Sequence, residues 1–108
     1  MNRTVEFNAS GTSFYKEEMK KVFTDYLDSG LESLAILLEI DESERTKQFD
    51  LNAIKVIVNS HQIGWVPKDI NSLVKMAILD TSVENIKVSW IGFIKDNAGI
   101  KISFDLVL

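Results

Sequence analysis

The last third of the chain alternates apolar and polar residues with a period of two. Ile86, Val88 and Trp90 fall on one side, and after a break Ile100, Ile102, Phe104, Leu106 and Leu108 repeat the pattern. Successive side chains point to opposite faces only in an extended strand, so two strands are predicted here. Asp96-Asn97-Ala98-Gly99 lies between them and supplies residues that tolerate positive φ, which makes the pair a hairpin.

The rest of the sequence supplies more strands and a few helical turns. Val5 and Phe7 mark a short strand, Ser33 to Ile40 a dense apolar one, and Ala53 to Val58 and Gln62 to Val66 two more, joined through Asn59-Ser60-His61. Tyr15, Met19, Val22, Phe23 and Tyr26 form a stripe at helical spacing that Gly30 ends. Ile70, Leu73, Val74, Ala77 and Ile78 form a second, opened by Val66-Pro67-Lys68-Asp69 and ending near Asp80. The order is strand, helix, three strands, helix, two strands. A mainly β (α+β) fold with two helices is expected, as a small antiparallel OB-like β-barrel, because closure removes exposed strand edges.

At 108 residues, with five glycines and one proline, the chain is read as a single domain over 1–108 with a packed core. It has no cysteine and one histidine, His61, so neither a disulfide framework nor a zinc site is expected. Asp41, Glu42 and Glu44 lack the ordered spacing of a calcium loop and read as part of an exposed acidic loop over 41–48. Met1 to Ser10 has no secretory pattern, and the longest apolar run, Leu34 to Leu38, is far short of a bilayer span; a cytoplasmic protein with no membrane partner is the expectation. Asn8-Ala9-Ser10 is read as a strand-end turn rather than a glycosylation site.

No Gly-rich phosphate loop, nucleophile elbow or second histidine is present, so an enzyme is not expected, nor is a cofactor. The net charge of −4 disfavours a protein that coats nucleic acid through its overall field, but leaves room for a small local site.

Three stretches carry such a site. Gly11-Thr12-Ser13-Phe14-Tyr15 precedes a helix; Phe49-Asp50-Leu51-Asn52-Ala53-Ile54-Lys55-Val56 follows later; Gln62-Ile63-Gly64-Trp65-Val66-Pro67-Lys68-Asp69 completes the set. In order and spacing they resemble the HIRAN domain family, from about Thr4 to the end of the chain. The resemblance implies an OB-like barrel and non-catalytic capture of a single-stranded DNA 3′ end. It makes Phe14 and Phe49 aromatic platforms, Asp50 the acceptor for the terminal hydroxyl and Lys68 a phosphate contact, and it puts Trp65 where the family often has His or Tyr. Ser13 stands where DNA-binding members carry Arg, and Lys47-Gln48 where they carry Asn-Pro.

The residues alone allow plainer roles. Asp50 can serve the backbone two residues on, Phe14, Phe49 and Trp65 can be core, and Lys68 can be a solvated surface residue. Trp90, on the apolar side of its strand, is read as core, Gly64 as a site of close backbone approach or a bulge, and His61 as a polar turn residue. The alternative function is a protein-interaction or oligomerisation module with a protein partner. An enzyme using Asp50 and Lys68 as acid and base ranks last.

Overall fold

The alternating C-terminal segments form one long hairpin, and the other strands build around it. The structure, a computed structural model, describes residues 2–107 and only the backbone of Ile94; Leu108, the last residue of the alternating pattern, lies outside the described residues. The elements are β1 (Asn2–Asn8), α1 (Lys16–Ser29), β2 (Ile36–Ile40), α2 (Glu44–Lys47), β3 (Ile54–Val58), β4 (His61–Trp65), α3 (Asn71–Leu79), β5 (Val83–Ile94) and β6 (Asn97–Val107). The expected strand order holds, while α2 is a third helix inside the stretch expected to be loop.

The strands make two antiparallel sheets of three, β1-β6-β5 and β2-β3-β4. The central strands carry the core: Ile100, Ile102 and Phe104 on β6 and Ile54, Val56 and Val58 on β3 are all buried, with Met19 and Val22 of α1 and Val74 of α3 packed among them. Each such aliphatic side chain contributes roughly 1.5–3 kcal/mol by leaving water. The α1 stripe faces inward as its spacing requires, and Gly30 ends the helix by donating its N–H to the Tyr26 carbonyl at 2.8 Å.

The OB-like barrel is not formed, because the sheets meet along only one side. There Ser10 pairs with Trp65 through two backbone hydrogen bonds of 2.8 and 2.9 Å. On the other side a groove of about 300 Å³ separates β2 from β5. Ile78 and Thr81, at the end of α3, line it.

The remaining departures are local, a bulge in β5 and the bounds and faces of single elements. Residues 88 and 90 of β5 pair with the consecutive Ile102 and Lys101, so Ser89 is an extra residue and the pattern of faces inverts beyond it. Val88 and Ile91 are buried, and Trp90 turns outward with 37% of its surface exposed, not in the core as its alternation implied. Its ring lies over Gly92 and Gly99; a Cβ on Gly92 would stand 2.8 Å from Trp90 Cζ2. Leu73, placed on the buried stripe of the second helix, is also exposed: α3 buries Val74 and Ala77 as expected, and Asn71 in place of Leu73. That helix starts at Asn71 rather than at Pro67, and His61 is the first residue of β4, opposite Val58, with Asn59 and Ser60 alone making the turn at φ 49° and 70°.

Candidate functional site

The segment between β2 and β3 builds one wall of a pocket beside the seam of the two sheets. It begins at Asp41, whose buried carboxylate accepts the Ser43 backbone N–H at 2.9 Å. That bond, aided by the Ser43 hydroxyl and with smaller help from Thr46 and Lys55, holds the Asp41 carboxyl below the usual carboxylate range against the opposing effect of burial. Ser43 in turn caps α2, its Oγ accepting the Thr46 N–H at 3.3 Å. Part of the acidic stretch is therefore a folded start for one helical turn. Lys47 pairs with Glu42 at 3.3 Å, while Arg45 and Thr46 line the pocket.

The chain leaves α2 through a tight turn in which the Phe49 and Asp50 N–H groups both donate to the Thr46 carbonyl at 2.9 Å. This turn leaves Phe49 80% exposed, outside the core. Trp65 arrives from the end of β4. The register around Ile63 explains its position: Val56 pairs with Gly64 and Ile57 with Gln62, so Ile63 is an extra, fully buried residue. Gly64 then passes so close to the segment after β1 that a Cβ would lie 2.6 Å from the Ser10 carbonyl oxygen. A side chain there would crowd the Ser10–Trp65 pairing, which fits the close backbone approach read for Gly64; the bulge falls on its neighbour Ile63.

The resulting pocket has a volume of about 320 Å³, and Phe49, Asp50, Trp65 and Lys68 all line it together with Ser10 and Arg45. Four of the five expected site residues are thus brought together. Phe14 is not in the wall. It is 86% exposed at the end of a single 3-10 turn, and it and Trp65 flank Gly11, where a Cβ would lie 3.8 Å from Phe14 Cδ2 and 3.6 Å from Trp65 Cδ1. Phe14 stands at the rim.

Asp50 takes the backbone role. Its Oδ1 accepts the Asn52 N–H and its Oδ2 accepts Asn71 Nδ2, each at 2.9 Å. An ionised carboxylate offers about four acceptor positions, so one bond per oxygen leaves capacity for a further donor from the pocket. The two fixed bonds orient the group.

Two site residues were not picked out from the sequence. Arg45 was hidden among acidic neighbours, and nothing short of the fold of α2 brings it to the pocket. Asn71 did leave a signal: it sits three and six residues before Val74 and Ala77 on the buried face of α3, and a buried amide needs a partner. The site thus presents one exposed ring, Phe49, one half-buried ring, Trp65, two cations and one oriented carboxylate. Among the described residues no group of three or more acidic, histidine or cysteine side chains is placed to hold a metal ion.

No protein-family model, curated protein or solved structure matches the chain.

Proposed function

We propose that the protein is a non-catalytic binding module that captures the 3′-hydroxyl end of single-stranded DNA in the pocket around Asp50. The observation that carries this reading is the gathering of Phe49, Trp65, Asp50, Lys68 and Arg45 around one open cavity, with Phe49 largely in solvent. The resemblance to the HIRAN family points the same way.

The chemistry is coherent. Bases stack on aromatic faces with little regard to sequence, for about 1–3 kcal/mol each. Arg45 and Lys68 supply the phosphate contacts, and Arg45 offers the cation that Ser13 does not. The remaining acceptor capacity of Asp50 takes a hydrogen bond from a terminal hydroxyl and repels a terminal phosphate. An end needs few phosphate contacts, so a net negative protein can hold one.

Fluorescence anisotropy at low salt tests this with two oligonucleotides that differ only at the 3′ terminus. The hydroxyl form is expected to bind at least about tenfold more tightly than the phosphate form, the size of one charge-assisted contact. Asp50→Asn should narrow that gap. Equal affinity for the two ends would overturn end recognition.

A specific observation favours a second reading. Leu73, Met76 and Leu79 recur along the outer face of α3, and each exposes about half of its surface or more. Such a stripe suits a protein partner or self-association. Sedimentation at rising concentration measures the latter directly: if the stripe mediates it, Met76→Lys restores the monomer, and a monomer at all concentrations removes self-association.

A further inference from the structure

Beside the 3-10 turn at Thr12–Phe14, α1 and the tip of the β5–β6 hairpin enclose a cleft of about 450 Å³, larger than the Asp50 pocket. Its floor is apolar. Met19 is buried beneath it, and the Phe23 and Phe93 rings meet edge to face with centroids 5.1 Å apart. Phe93 is nevertheless 56% exposed, because the hairpin carries it past the core.

The two rims differ in chemistry. On α1, Lys16 and Lys20 are four residues apart and share one side of the helix. Lys16 forms no ion pair among the described residues, and Lys20 meets only Glu17, in an exposed pair at 3.3 Å that contributes little and yields readily to a better anion. On the hairpin, the Asp96 carboxylate and the Asn97 amide supply acceptors. The Thr12 and Thr24 hydroxyls already donate to the carbonyls of Ala98 and Lys20, at 2.9 Å each.

We propose that this cleft is a second binding site, for a flat aromatic ligand with an anionic group at one edge and N–H donors at the other. The ring covers Phe23 and Phe93, the anion sits between Lys16 and Lys20, and the donors reach Asp96 and Asn97. Volume, apolar floor and a few convergent polar groups are the usual make-up of a small-molecule site. A purine nucleotide has this chemistry, whether free or as part of a strand. The inference stands on different residues from those of the Asp50 pocket and does not depend on the reading of that pocket.

Titration of the ¹⁵N-labelled full chain, followed by NMR, tests it with three probes: adenosine 5′-monophosphate, adenosine and ribose 5-phosphate. The monophosphate is expected to shift amides within 12–24 and 93–98. Adenosine and ribose 5-phosphate should each bind at least about fivefold more weakly, since one lacks the anion and the other the ring. Lys16→Ala with Lys20→Ala, both exposed, should weaken the monophosphate by about five- to tenfold without changing the spectrum elsewhere. Phe93→Ala should weaken both the monophosphate and adenosine. A short oligonucleotide that shifts the same amides and binds more tightly than the monophosphate identifies a strand as the source; one that leaves them unshifted identifies free nucleotide. The proposal is overturned if the monophosphate shifts nothing in these segments, if ribose 5-phosphate matches it, or if the lysine variants bind it unchanged.

Discussion

At Asp50 a single carboxylate joins the local fold to the proposed site. Each oxygen already accepts one amide N–H, so a substitution disturbs the turn as well as any ligand. Asp50→Ala leaves the buried Asn71 amide without its partner and should cost about 1–3 kcal/mol in urea unfolding. Asp41 offers a cleaner pH signature. Its carboxyl lies below the usual range in the folded chain, so its contribution is fully present above the unfolded-state value and is lost as pH falls through the folded value. Wild type should therefore lose stability on acidification below about pH 4, and Asp41→Asn should remove that part of the loss. Near neutral pH the same variant should be about 1–2 kcal/mol less stable, the scale of a hydrogen bond to a charged acceptor. Gly64→Ala tests the seam: its Cβ meets a backbone carbonyl that cannot swing aside, so a loss of about 1–3 kcal/mol is expected, with weaker DNA binding as Trp65 shifts.

Among the elements, strands were legible where their pairing is regular and misread where a bulge intervenes. The alternation Ile100, Ile102, Phe104 holds on β6, and all three side chains are buried. On β5 the same pattern predicted Trp90 in the core, but the extra Ser89 turns it outward onto two glycines. A bulge is a choice between two pairings, made by the partner strand, and leaves no mark in the composition of the bulged strand. Gly92→Ala probes this arrangement. The atom it meets is the far end of a side chain that can swing away, so stability should fall by under about 1 kcal/mol while Trp90 emission moves to the red in a Trp65→Phe background. Helix α2 was missed because four residues carry too little periodicity to register, although Ser43, its cap, stands in the sequence.

For the molecule as a whole, charge and topology matter most. If the proposed function holds, a net charge of −4 with two local cations in the pocket implies that DNA affinity depends weakly on salt. With Arg45 and Lys68 as the phosphate contacts, log K against log salt should have a slope of about −1 to −2, measured by anisotropy between low and physiological salt. A slope several times steeper would mean a long groove rather than an end. The number, order and type of the strands and the two longer helices follow from local pattern, because burial periodicity and turn chemistry act over a few neighbouring residues, whereas the four pocket residues are singled out by the family resemblance and not by periodicity. Whether six strands close on themselves is a long-range matter. Gly64 lets the sheets join at Ser10 and Trp65, while Ile78 and Thr81 line the open groove between β2 and β5, and these contacts link residues far apart in the chain whose meeting no local pattern encodes.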